Sequence, residues 1–373
     1  MLIVAGCGGT AGTPSHTPLA AVSPPGSSTS SSPAASASPS SSASASTVPG
    51  PAGTELVISD VANNQVRLAR LDATDTATVT GLFDGVVGGH VIVINGTALE
   101  SLTPPNTLRK LGTLAGPTEW LGPGTVAVKA DLSAWLYTVP DSSWTSTIHL
   151  GTPAGDRIVA TLPSPDGNAF YQPFAWNASG AYFSRQATGL GGAGPFLDYR
   201  FPLERFDVSS GRMTDVTPTC IAYAVLDEGT MICRSSFADS RLQVRTQSGL
   251  TISIQVTLGT GTGTNSAFWH VLVSPDNSRV VVTRNGAKDP TINYQMAVAG
   301  LTESTASAFG PLDFLSGAWL PDGRLVADHV CVPTEWGGGP CSGSLDGTYI
   351  FSSDGSTHSL FYKLKAGVVV ASV

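Results

Sequence analysis

The hydrophobic positions of this chain fall into short runs of two kinds. One kind alternates: Val66-Arg67-Leu68-Ala69-Arg70-Leu71 sets apolar and basic residues on opposite sides, the pattern of a strand with one buried and one wet face. The other kind is continuous. Val91-Ile92-Val93-Ile94 fits a strand covered on both faces. Leu56-Val57-Ile58, Ala77-Thr78-Val79-Thr80 and residues 98–102 and 108–114 add further strands. Long apolar helical patterns are absent, and no run of about 18 apolar residues exists, so no membrane-spanning helix is predicted.

Between the runs stand corner residues. In Trp319-Leu320-Pro321-Asp322-Gly323, Pro321 pre-sets φ, Asp322 reaches nearby backbone N–H groups, and Gly323 accepts a positive φ before the apolar Leu325-Val326-Ala327. The same slot recurs at Asn277 after Ser274-Pro275-Asp276, at Gly229 after Asp227-Glu228, at Gly180 after Trp176-Asn177-Ala178-Ser179, and at Gly124 after Trp120-Leu121-Gly122-Pro123. The positions 124, 180, 229, 277 and 323 are 56, 49, 48 and 46 residues apart. A period of that size, filled with strands, predicts an all-β propeller of four-stranded antiparallel blades. Units begin near residues 118, 174, 221, 268 and 313. Gly367 and the strand after it fall one period past Gly323, beside three early strands that lack a corner of their own. Pairing last with first would close the ring and remove its edges. The count favours seven blades, with six as the alternative if residues 82–114 are too short for a blade.

Composition divides the chain. Residues 1–53 contain no Asp, Glu, Lys or Arg, and from 26 to 51 they are nearly all Ser, Ala, Pro and Thr, a composition that predicts disorder. The expected organisation is a leader remnant over 1–7, a linker over 8–53 and the propeller over 54–373. The net charge of −8 and the absence of basic runs speak against nucleic acid as a partner. The expected state is a monomer.

Leu2-Ile3-Val4-Ala5-Gly6-Cys7 resembles the lipobox of bacterial lipoproteins, in which the cysteine is lipidated and becomes the mature N-terminus. The resemblance implies a lipid anchor on Cys7, an extracytoplasmic location at the cell membrane, and a tether in residues 8–53. The apolar stretch is short and lacks a basic region, so either the true start lies upstream of Met1 or Cys7 is an idle thiol. The other four cysteines form local pairs. Cys220 and Cys233 flank one corner, and Cys331 and Cys341 bracket a loop. Disulfides are expected, with free thiols or a metal site as alternatives; no C-x-x-C occurs and the six histidines are scattered. Neither a metal nor a cofactor is expected.

Trp319-Leu320-Pro321-Asp322-Gly323 and Val273-Ser274-Pro275-Asp276-Asn277 resemble the W-S-P-D-G repeats of TolB-like, WD40-like propellers. The resemblance implies a toroidal fold over most of 54–373 and does not imply one activity.

Chemistry is sparse. Gly339-Pro340-Cys341-Ser342-Gly343 lacks the strand–turn–helix setting of a nucleophile elbow, and residues 259–264 lack the Lys and helix of a phosphate cradle. Trp120, Trp176, Trp269 and Trp319 hold similar places in their units and read as wedges between blades, or as a sugar-stacking platform. The favoured function is a binding or scaffolding module for a protein or cell-envelope ligand, contacted through loops at 153–172, 187–199 and 332–344. A sensor role is not separable from it. A hydrolase or lyase acting on a glycan or lactone is the alternative. It would need several of Asp84, Asp131, Asp227, Asp276, Asp322 and His329 to converge at the channel mouth.

Overall fold

β-Branched runs broken by Gly, Asn and Asp corners favour strands, and every regular element in the described residues is a strand. The computed structural model describes residues 53–116, 124–187, 203–216, 220–236, 239–256, 268–285, 294–329, 347–362 and 367–373. In groups of four, the strands form meanders. Meander 1 contains β1 (Glu55–Asp60), β2 (Gln65–Arg70) and β3 (Asp75–Thr80). Meander 2 has β4 (Leu82–Val87), β5 (His90–Asn95), β6 (Ala98–Thr103) and β7 (Thr107–Thr113). Meander 3 has β8 (Val126–Val128), β9 (Trp135–Pro140), β10 (Ser146–Thr152) and β11 (Gly155–Leu162). Meander 4 has β12 (Ala169–Asn177), β13 (Gly180–Ala187), β14 (Leu203–Asp207) and β15 (Arg212–Asp215). Meander 5 has β16 (Ile221–Val225), β17 (Met231–Arg234), β18 (Arg241–Arg245) and β19 (Thr251–Val256). Meander 6 has β20 (Phe268–Val273), β21 (Arg279–Asn285), β22 (Tyr294–Gly300) and β23 (Thr305–Phe309). Meander 7 has β24 (Phe314–Trp319), β25 (Leu325–His329), β26 (Gly347–Phe351) and β27 (His358–Tyr362), and β28 (Val368–Ser372) returns to pair with β1. Residues 82–113 thus build a full four-stranded sheet. Meanders 5 and 6 join into one eight-stranded sheet through a parallel pairing of Gln255 with Thr305 and Val256 with Ala306.

The core follows from the pleat, which sends successive side chains to opposite faces. Leu56 and Ile58 pack with Ala318, Leu320 and Val326 of meander 7, whereas Val57 packs with Val91 and Val93 of meander 2. Ile92 and Ile94 turn the other way, onto Val126, Val128 and Trp135 of meander 3. Val280 and Val282 serve the core shared with meander 5, and Val281 the one shared with meander 7. The described residues form seven such cores, each joining consecutive meanders, with one joining meander 7 to meander 1. Each buried Val, Leu or Ile contributes about 1.5–3 kcal/mol.

The corners between first and second strands carry positive φ. Gly229 (81°), Asn277 (55°) and Gly323 (82°) donate their N–H to Leu226, Ser274 and Leu320 carbonyls at 2.8, 2.9 and 2.9 Å, and Gly180 (147°) closes a two-residue turn. Meander 3 corrects the expected register. Gly124 (φ 73°) precedes β8 and donates to the Asp84 carbonyl at 3.0 Å, so it is not the corner of this meander. That place belongs to Leu132 (φ 57°), whose N–H meets Lys129 O at 2.8 Å. The intervals from 132 to 323 become 48, 49, 48 and 46. A left-handed leucine costs about 1–2 kcal/mol. Packing against the Trp135 core offsets that cost, and Asp131, accepting from Ser133 N at 3.0 Å, holds the turn.

A bulge interrupts the first strand of six meanders, skipping Asp84, Phe174, Tyr223, Trp269, Gly317 and, on β28, Val370. Bulges re-aim a side chain, and here they aim it forward. Asp84 reaches β8, Phe174 packs on the core shared by meanders 4 and 5, Tyr223 meets Phe268 of β20 at 6.2 Å, and Val370 packs on the core shared by meanders 1 and 2. Gly317 lies so close to β28 that an added Cβ would sit 2.7 Å from the Val369 carbonyl oxygen. Gly317→Ala is therefore expected to lower stability in urea by about 1–3 kcal/mol. Gly85→Ala, one residue past a bulge with nothing within 4 Å of the new methyl, is the control expected to stay within about 0.5 kcal/mol.

Candidate functional site

The residues required by the hydrolase reading do not meet. Asp131, Asp276 and Asp322 are exposed at corners, where each carboxylate closes its own turn. Asp131 accepts from Ser133 Oγ at 2.6 Å, Asp276 from Ser274 Oγ at 2.6 Å and Ser278 N at 3.1 Å, and Asp322 from Arg324 Nε at 2.8 Å. Asp227 is exposed at the corner after β16. Asp84, only 6% exposed, turns to β8 and accepts from Thr125 N at 2.8 Å and Val126 N at 3.3 Å. His329 is 8% exposed, with Phe314 edge-on at 5.1 Å. Among the described residues, β4, β8, β12, β16, β20, β24 and β28 together carry one carboxylate, Asp84, and one imidazole, His270, which donates from Nδ1 to the Ser316 carbonyl at 2.7 Å. Both groups are spent on the backbone of the next meander.

The tryptophans divide. Trp319 is buried, donates from Nε1 to Leu272 O at 3.1 Å, and lies under the Arg279 guanidinium at 4.7 Å. Arg279 in turn donates to Gly323 O at 2.9 Å and Ser353 O at 3.0 Å, latching meander 6 to meander 7. Trp135, which sequence reasoning passed over, is fully buried against Gly112 and Gly151, where any Cβ would collide with the indole. Trp176 differs. It is half-buried and lines a cavity of about 480 Å³ with Arg205, Phe206, Asp207 and Thr214. Lys129 Nζ stands 4.8 Å from its ring centroid. Arg205 Nη2 donates to Ser179 O at 2.8 Å, and hydrogen bonds from Ser209 and Ser210 hold the Asp207 carboxyl down at about 2. The cavity therefore sets a flat apolar ring beside a fixed cation and a fixed anion, a combination suited to a polar, hydroxyl-bearing or zwitterionic surface. The alternating charge in Arg205-Phe206-Asp207 was its signal in the sequence.

Another cluster was missed. Tyr137 O–H accepts from Ala115 N at 2.7 Å and donates to Asp156 Oδ1 at 2.9 Å, His149 Nδ1 meets Asp156 Oδ2 at 2.7 Å, and the Tyr137 and His149 rings stack at 4.8 Å. Burial and the Asp156 carboxylate push the Tyr137 hydroxyl up, so it stays protonated and ties residue 115 to meander 3. Cys220 and Cys233 form a disulfide with Cα atoms 5.7 Å apart, stapling β16 to β17. Cys7, Cys331, Cys341, Trp120, the Trp269 side chain and the loops at 188–199 and 332–344 lie outside the described residues. Within the described residues no group of three or more His, Cys, Asp or Glu could hold a metal ion.

No family model matches the chain, and no curated protein matches it in sequence. Solved structures do resemble it. An oligogalacturonate lyase in complex with manganese aligns at 13% identity over 83% of this chain and 84% of its own, with a TM-score of 0.50. A candidate 6-phosphogluconolactonase from Bacteroides fragilis aligns at 13% identity over 86% and 97%, with a TM-score of 0.50. A candidate TolB from Agrobacterium tumefaciens aligns at 13% identity over 68% and 87%, with a TM-score of 0.41. Likeness at this identity shows the fold, an all-β propeller architecture, and nothing of the activity.

Two buried carboxyls shape the pH response. Burial raises Asp84 and Asp328 from 3.8 to about 7; Asp328 accepts from Thr348 Oγ1 at 2.5 Å and Val369 N at 2.8 Å. The folded state holds these protons more tightly, so the stability they contribute is complete below 3.8 and is lost as pH rises through about 7. The exposed Asp207, Asp276 and Asp354 act oppositely: hydroxyl hydrogen bonds lower them to about 2, and their contribution is lost as pH falls from 3.8 through that value. The melting temperature is expected to peak near pH 4–5. In Asp328→Asn and Asp84→Asn the decline above pH 5 should flatten, which melting curves from pH 3 to 8 measure.

Proposed function

We propose that this chain is a seven-bladed propeller, closed by β28 against β1, that binds a protein or cell-envelope ligand at the outer face of a membrane. In this reading the protein is a monomer, residues 54–373 form the propeller, and residues 8–53 tether it to a lipid on Cys7. Seven cores linking consecutive meanders, meander 7 to meander 1 included, support the closed count. The buried disulfide supports an oxidising compartment.

The observation that carries the binding role is the contrast between two surfaces. The first strands bring no group of ionisable side chains together, while the cavity at Trp176, Arg205 and Asp207 presents mixed polar and aromatic chemistry at the surface. The hydrolase or lyase reading would need ionisable groups that converge, and the five aspartates and one histidine named for it lie on separate corners and seams.

Two experiments test the proposal. Arg205→Ala should abolish the specific crosslinked partner of the membrane-held protein with the fold retained, and Trp176→Ala should do the same with a lower melting temperature, because the indole also packs on the core between meanders 3 and 4; capture equal to wild type in either variant would overturn the assignment of this cavity. Cys7→Ser should move the protein from the membrane fraction to the soluble one and remove the acyl mass seen for the intact chain. A protein that stays in the membrane fraction after that change would overturn the anchor.

A further inference from the structure

Strand β14 sets a cation and an anion side by side. Arg205 and Asp207 are two residues apart in it, so the pleat sends both side chains to one face, with Cα atoms about 6.6 Å apart. Thr214 stands across the ladder from Arg205, and all three line the cavity that Trp176 also borders. Arginine and aspartate at this spacing close on each other elsewhere in the chain. Arg241 Nε meets Asp239 Oδ1 at 3.0 Å, and Arg324 Nε meets Asp322 Oδ2 at 2.8 Å. Arg205 and Asp207 stay apart. Among the described residues, Asp207 makes no ion pair with Arg205, nor with Arg212, its partner across the ladder.

Each charge is instead held by its own turn. Arg205 Nη2 donates to Ser179 O at 2.8 Å, and the guanidinium crosses Gly180 so closely that a Cβ there would sit 2.8 Å from Nε. Its other N–H groups meet no acceptor among the described residues. Asp207 Oδ1 accepts from Ser209 Oγ at 2.7 Å and Ser209 N at 2.9 Å, and Oδ2 accepts from Ser210 Oγ at 2.7 Å. These hydroxyls hold the carboxyl down at about 2, so it is charged at neutral pH. The cavity thus carries two opposite charges that do not neutralise each other. A single anion would suit Arg205 and be repelled by Asp207, and a single cation the reverse. Hydroxyl groups would bond to either charge and offset neither. A molecule with both charges on neighbouring atoms satisfies the pair.

We propose that the ligand of this cavity carries a free α-amino acid end, with its carboxylate on Arg205 and its ammonium on Asp207. On the reading that the Trp176 cavity is the binding surface, on which this assignment rests, such an end belongs either to a free amino acid or to a diamino acid branch of a cell-envelope peptide. The carboxylate takes N–H donors from the guanidinium fork, and the ammonium brings three donors to the Asp207 oxygens. Trp176 offers apolar surface to the substituent on the α-carbon.

The test is calorimetric titration of the full chain at constant ionic strength, with the common amino acids in L and D form in one arm and Nε-acetyl-lysine, which presents a free α end on an acylated tail, in the other. Saturable binding of at least one is expected, and tighter binding of Nε-acetyl-lysine than of lysine identifies the branched source. The Nα-acetyl and α-amide forms of the best binder should each bind tenfold or more weakly. Arg205 and Asp207 are both exposed, so substitutions there should leave the fold intact. Arg205→Gln should no longer distinguish the free form from the amide, and Asp207→Asn should no longer distinguish it from the Nα-acetyl form. The proposal is overturned if no amino acid binds saturably up to roughly 10 mM, or if the blocked forms bind the wild type as well as the free one. If no amino acid binds but Arg205→Ala still abolishes the crosslinked partner, the cavity keeps its docking role and only the zwitterion falls. If capture by Arg205→Ala is unchanged as well, both fall.

Discussion

The structure depends on strands that are apolar on both faces. A sheet with one buried face can stop at a single partner layer; these sheets cannot. Val57 needs meander 2 and Leu56 needs meander 7, and the same division holds at Val91 and Ile92 and at Val280 and Val281. Meanders 1, 2 and 6 therefore each need a neighbour on either side. An open row would leave two apolar faces in water, each worth several buried aliphatic side chains.

Polar groups specify how the meanders are seated. The apolar cores would tolerate some sliding, whereas hydrogen bonds across a seam would not. Asp84 holds Thr125 and Val126, Thr283 Oγ1 accepts from Ser316 N at 3.1 Å, Asn177 Nδ2 reaches Val225 and Leu226 carbonyls at 3.0 Å, and Asp328 holds Val369. These groups are nearly all directed at first strands or corners. For Asp84 a bulge explains why: removing one residue from the ladder frees its side chain to face forward. The chemistry that such a chain might have offered a ligand is thereby largely committed to its own seams, and what remains for binding lies at the rim.

The all-β character was legible in the alternation at Val66–Leu71 and in the doubly covered run at Val91–Ile94, because the pleat converts composition directly into burial. The Cys220–Cys233 pair was legible because a short hairpin leaves few partners. Other features were hidden for definite physical reasons. Leu132 adopts a left-handed conformation that leucine does not advertise, whereas Gly124 carries the residue type that corners favour. Trp135 depends on two glycines, Gly112 and Gly151, that are far from it in one direction and sixteen residues away in the other. Arg234 and Arg284 look like surface residues in sequence; only the seam brings them to one phenylalanine. Asp328 gives no sign of burial until β28 is laid beside it.

The pairing of β28 with β1 has a consequence for biogenesis. A ribosome delivers β1 to β3 early and β28 last, some 290 residues after β3. Throughout that interval the inner edge of the first sheet has no partner, and Glu55, whose N–H and carbonyl both bond Val373 at 2.9 Å, waits unpaired. A nascent chain in this condition exposes an adhesive rim to its siblings. Crowded synthesis is thus the stage at which this protein is most exposed to mispairing, and a holdase or delayed folding would guard against it.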